Sequence, residues 1–200
     1  MSRRIFAALE LPPELQRQLA QLQKDLQAAA PPRSVRWVRP EGIHLTLKFY
    51  GDVAEARLLE LQAGLARAAG AVSPMALTAE GVGVFPNPAR PTVVWAGISG
   101  ELAPLKQLQA AVEAEALALG FKPEGRGYHP HLTLGRVNDS VGPAEARRLM
   151  DALGPARARP IGRFSPAKLS LMESELGPGG SVYTPLNTVA LGPLERSSQG

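Results

Sequence analysis

The chain has 200 residues, enough to bury a sizeable core, and its 44% hydrophobic and 20% charged residues are the balance of a soluble globular fold. Cysteine is absent, which excludes disulfides, a thiol nucleophile and a Cys-ligated zinc site. A net charge of +4 does not by itself require a nucleic-acid partner, but it allows an anionic ligand in a local basic cleft.

IFAAL, residues 5–9, is a short apolar run ahead of Pro12-Pro13 and reads as a strand. From Glu14 to Ala30, leucines at 15, 19, 22 and 26 recur at spacings of three and four, an amphipathic helix that Pro31-Pro32 stops. Residues 35–38 predict a strand, Pro40-Glu41-Gly42 a turn, and IHLTLKFY a strand ending at Gly51. A second helix is expected over 53–69, strands over 75–85 and 92–98, and a third helix over 102–119, ended by Gly120. Then come a strand at 131–137, a helix at 143–153 and strands near 159–164, 167–173 and 182–190.

The order β-α-β-β-α-β-β-α-β-α-β-β-β, with adjacent strands joined by tight turns, predicts an α+β fold with antiparallel sheets. No linker or low-complexity tract divides the chain. A single domain over 1–200, built of two pseudo-symmetric lobes with flanking helices and a cleft between them, is therefore expected. No stretch approaches the roughly 18 unbroken apolar residues of a membrane span, and the first apolar run is too short for a secretion signal. The expectation is a cytoplasmic protein without a membrane partner, working as a monomer.

Two hexamers stand out. HLTLKF begins at His44 and HLTLGR at His131, so two of only three histidines open the same four letters. On a strand, His44 and Thr46 share one face, as do His131 and Thr133, each pair above two leucines on the other face. Two lobes facing each other would bring two imidazoles and two hydroxyls to one spot. That set suits transfer or hydrolysis at a phosphate without a metal. A neutral imidazole takes a proton from water, a protonated one gives a proton to the leaving oxygen, and the threonines hold the non-bridging oxygens. Arg136 would add a charge-assisted contact, but by parity it faces the wrong way unless Gly135 bends the strand. Phe49, at the matching place in the first copy, is read as core or cleft wall.

The doubled His-x-Thr resembles the signature of the 2H phosphoesterase superfamily. Within it the chain is similar to the RNA 2′,3′-cyclic phosphodiesterases, historically called 2′-5′ RNA ligases. The resemblance runs through RRIFAALELP, VRWVRPEGIHLTLKFYGDV, YHPHLTLGRV and LMESELGPGGSVYTPL, nearly the whole chain. It implies a bilobal α+β fold, no metal or other cofactor, and hydrolysis of terminal 2′,3′-cyclic phosphates on RNA or nucleotides to 2′-phosphates. By position it makes His44 the proton donor and His131 the proton acceptor, with Thr46, Thr133 and Arg136 at the phosphate. Tyr50 departs from the leucine usual in this branch. The alternatives are 2′-5′ ligation by the reverse reaction and an RNA-binding module with a weakly active site.

Trp37, Trp95, Phe6, Tyr128 and Tyr183 are the candidates for stacking on a base; Arg36, Arg39, Lys48, Arg90 and Arg126 are the candidates for following an RNA backbone. Of these, Lys48, Trp37 and Tyr128 join Arg136 as the expected substrate-binding set. His129-Pro130-His131 lacks the further ligands of a metal site, so His129 is read as loop or rim. Gly81-Val82-Gly83 reads as a bend in a strand, and Ser174 and Ser181 have no base beside them in any motif.

Overall fold

The computed structural model describes residues 2–125, 127–177 and 180–192. Its elements follow the predicted order: β1 (Ser2–Glu10), α1 (Pro13–Ala29), β2 (Val35–Trp37), β3 (His44–Ala54), α2 (Leu58–Gly70), β4 (Leu77–Phe85), β5 (Val93–Gly100) and α3 (Leu102–Ala118). They continue with β6 (His131–Val137), α4 (Pro143–Leu153), β7 (Pro160–Phe164), β8 (Lys168–Gly177) and β9 (Gly180–Ala190). Among the described residues no helix is long and apolar enough to cross a membrane.

Several strand boundaries differ from expectation for one reason, pairing. Gly51 does not end β3: it takes φ of +77° at a bulge, and the strand runs on against β1 as far as Ala54 opposite Ser2. A 3-10 turn, Glu55–Arg57, then delays α2 to Leu58. β8 and β9 extend each other as a hairpin up to Gly177 opposite Gly180, with Leu176 left exposed. Backbone pairing, not apolar periodicity, sets their length.

All strand pairs are antiparallel, and the order is β7-β4-β5-β6-β3-β1-β8-β9, with β2 beside β6. The duplicated sheets expected from the sequence are one sheet here, whose two halves meet at the motif strands β3 and β6. Those strands share a single rung, Leu45 opposite Leu132. Beyond it they part, and side chains occupy backbone carbonyls near the opening. On one side the buried Gln23 amide donates to the carbonyls of Val38 (2.8 Å) and Leu134 (2.9 Å). On the other the Tyr128 hydroxyl donates to the Thr46 carbonyl (3.2 Å).

The core lies between the sheet and its helices. Leu45, Leu47, Leu132 and Leu134 are all buried in it, as the alternation predicts. So are Leu15, Leu19, Leu22 and Leu26 of α1, each contributing about 1.5–3 kcal/mol on burial. The helices tie the halves together where the strands do not: α1 packs on β7, and α3 on both β3 and α2. The opposite face of the motif strands is left to the site.

Candidate active site

Arg136 reaches the site face because β6 bulges. Thr133 pairs with Trp95 and Gly135 with Val94, so Leu134 has no partner and the parity flips. β3 does the same at the same place in its motif: Thr46 pairs with Ala8 and Lys48 with Ala7, leaving out Leu47. The sixth residue of each hexamer, Phe49 or Arg136, thus joins the His-Thr pair. Phe49 is 57% exposed and lines the cleft wall. Glycine is not what makes the bulge, since Lys48 occupies the same step in β3. Gly135 is small because β2 crosses it: a Cβ there would lie 2.5 Å from Val35 Cγ1.

The antiparallel register about Leu45–Leu132 sets His44 beside Thr133 and Thr46 beside His131. The imidazoles are held alike. His44 Nδ1 donates to the carbonyl of Gly42 (2.8 Å), and His131 Nδ1 donates to that of His129 (2.7 Å), two residues back in each case. A carbonyl only accepts, so the proton sits on Nδ1 and leaves Nε2 as the free acid-base atom of each ring.

Aromatic walls desolvate both. His44 stacks on Phe6 at 4.6 Å and meets the edge of Tyr183 at 4.9 Å; His131 lies edge-on to Phe85 at 5.0 Å. Burial lowers the His44 imidazole to about 4, against the opposing pull of the Gly42 carbonyl, and the charge of His131 pushes the same way as burial. His131 is lowered too, mainly by burial.

A cavity of about 260 Å³ opens on this face, with His44, Thr46, Thr133 and Arg136 in its wall. His131 does not line it; it stands next to Thr46 on the β6 side. Arg4, which belongs to no motif, lines the cavity from β1, as do Ser174, Ser181 and Tyr183 from the β8–β9 hairpin. The signal for Arg4 was its parity with Phe6 and Ala8 on β1.

Three of the expected substrate contacts lie elsewhere. Lys48, flipped by the bulge, is buried on the helix face, where its Nζ bonds Glu113 and the Lys122 carbonyl, both at 2.9 Å. Tyr128 lies behind the motif strand, bonded to the Thr46 carbonyl. Trp37 does not line the histidine cavity but the one adjoining it, together with Arg36 and Arg39. Tyr50 packs on Phe121 at 5.2 Å, on the α3 side. Trp95 lies opposite Thr133 against Phe85, its ring over Gly83, whose Cβ would collide with it. Arg90 lines neither cavity, and Arg126 is outside the described residues. Gly81 is the bend expected in β4, at φ +67°. Exposed His129 serves through its carbonyl. Among the described residues no three His, Cys, Asp or Glu side chains gather as metal ligands.

The chain is similar to known proteins in sequence and in fold. The RNA 2′,3′-cyclic phosphodiesterase of Methanothermobacter thermautotrophicus is 35% identical over 96% of this chain and 100% of its own. The crystal structure of Escherichia coli LigT complexed with 3′-AMP is 27% identical, with a TM-score of 0.75 over 96% of this chain and 99% of that one. A crystal structure from Thermus thermophilus is 28% identical, also at a TM-score of 0.75, over 94% and 97%. The model of the LigT-like phosphoesterases matches twice, over residues 9–95 and 97–183, with one HLTL hexamer in each match. By that doubled match the chain belongs to the LigT-like phosphoesterase family.

Proposed function

We propose that the protein hydrolyses RNA 2′,3′-cyclic phosphodiester ends to 2′-phosphomonoesters, without a metal, by paired histidine acid-base catalysis. The observation that carries this is the matched pair of imidazoles, each fixed through Nδ1 by a backbone carbonyl and each set beside a threonine of the other motif. The relatives' own activity, that of RNA 2′,3′-cyclic phosphodiesterases, supports the substrate class.

In this reading the cyclic phosphate enters the cavity with its non-bridging oxygens on Thr46, Thr133 and Arg136. His131 Nε2 takes a proton from water as the water oxygen bonds to phosphorus. The bond from phosphorus to the 3′ oxygen breaks, and His44 Nε2 gives that oxygen its proton. Burial alone leaves His44 unprotonated near neutrality, so the substrate must restore its proton. A phosphodiester anion in the same pocket favours the imidazolium and does so. With a 5′-hydroxyl in place of water as the nucleophile, the same steps make a 2′-5′ linkage. Both motifs lie in one domain of one chain, so a monomer suffices.

The test is an oligoribonucleotide ending in a 2′,3′-cyclic phosphate, incubated with the protein in EDTA. A 2′-phosphate product is expected. His44→Ala and His131→Ala should each reduce the rate by about 10²- to 10⁴-fold, and the double variant should be little worse, because the pair acts as a unit. An untouched end, or activity lost in EDTA and regained with zinc, would refute the proposal.

A further inference from the structure

We infer that a second phosphate subsite, built by Arg36 and Arg39, adjoins the catalytic cavity and takes the phosphodiester that links the terminal nucleotide to its 5′ neighbour. This rests on the cyclic phosphodiesterase reading above.

The cavity next to the histidine pocket, about 360 Å³, shares Arg36, Arg136, Leu176 and Tyr183 with it, so the two are continuous. Four arginines line them together (Arg4, Arg36, Arg39 and Arg136), and among the described residues no carboxylate does, in a chain with 18 acidic residues. None of the four has an ion-pair partner among the described residues, whereas Arg3, Arg67 and Arg159 are paired with carboxylates on other surfaces. The field in this groove is therefore of one sign.

Arg36 lies directly opposite Arg136 in the β2–β6 pair. Like charges directly across a sheet destabilise it, and no acid lining the groove compensates them. An anion bound between them would. One anion, the reacting phosphate, falls to Arg136 beside Thr133. Arg36 and Arg39 extend beyond it, over a cavity also lined by Trp37, Leu176 and Tyr183. Guanidinium forks beside apolar and aromatic surface match a nucleotide with its phosphodiester better than a bare inorganic ion.

The experiment compares two substrates: a nucleoside 2′,3′-cyclic phosphate with a free 5′-hydroxyl, and a dinucleotide ending in the same cyclic phosphate. Wild-type protein should show a KM about tenfold lower for the dinucleotide, the worth of one charge-assisted contact. Arg39→Ala should erase that preference and leave the kinetics on the mononucleoside unchanged, which also shows that the variant is folded; Arg39→Lys should keep part of it. Equal KM values in the wild type would overturn the subsite, as would a preference that survives in the Arg36→Ala/Arg39→Ala double variant. If neither substrate is turned over, the phosphodiesterase reading falls first and takes the subsite with it.

Discussion

His44 sits against two aromatic rings and His131 against one, and this asymmetry governs how the site titrates. The proposed mechanism needs one proton on the pair, carried by His44. Burial lowers His44 to about 4 and lowers His131 as well, so in the free protein both imidazoles give up their protons on the acid side of the ordinary histidine value. Both groups are depressed below 6.5, so kcat/KM should be bell-shaped with its maximum on the acid side of that value. The kcat profile should peak at higher pH, since the bound anion raises both groups. A kcat/KM curve flat from about pH 5 to 9 would contradict the pair. At this scale the sequence was legible because scarce histidines and threonines repeat in register. The carbonyls of Gly42 and His129 were not, since any residue can supply a carbonyl and only the backbone path says which one does.

At the scale of the element, both motif strands break the period-two rule at their fourth residue, and the consequences are opposite. The break brings Arg136 into the site and takes Lys48 out of it. Alternation alone could place His44, Thr46 and their leucines, but it could not foresee a bulge in a strand whose fifth residue is lysine. Lys48 is 2% exposed and its partner Glu113 17%. Lys48→Met should therefore cost about 3–5 kcal/mol, by leaving a carboxylate without its cation, and should leave KM unchanged. Denaturant unfolding and steady-state kinetics on the same variant separate the two roles. A raised KM at unchanged stability would return Lys48 to the substrate.

For the whole molecule, the sequence showed the count and order of elements but not that two expected sheets are one. That depends on a single rung between Leu45 and Leu132, and no periodicity encodes one rung. Nor did it show that helices cross from one half to the other, as α1 does onto β7, where a Cβ on Gly162 would collide with Gln18. The halves are also braced at the rung. Tyr128 joins the Thr46 carbonyl to the loop whose His129 carbonyl aims His131. Tyr128→Phe should lower kcat about tenfold through misplacement of that ring, and cost only about 1 kcal/mol in stability. Unchanged kcat would show that the loop holds His131 without the brace.

β1 runs between β3 and β8, and β8 (Lys168–Gly177) lies far along the sequence from it. During synthesis the strands β4, β5, β6 and β7 can pair with one another as soon as they emerge, for they form one unbroken run of strands in the sequence. β1 cannot finish pairing until residues 169–173 arrive, and until then it presents a bare hydrogen-bonding edge flanked by apolar side chains. β4 to β7 can thus complete their mutual pairing while β1, though already beside β3, still waits for the β8–β9 hairpin.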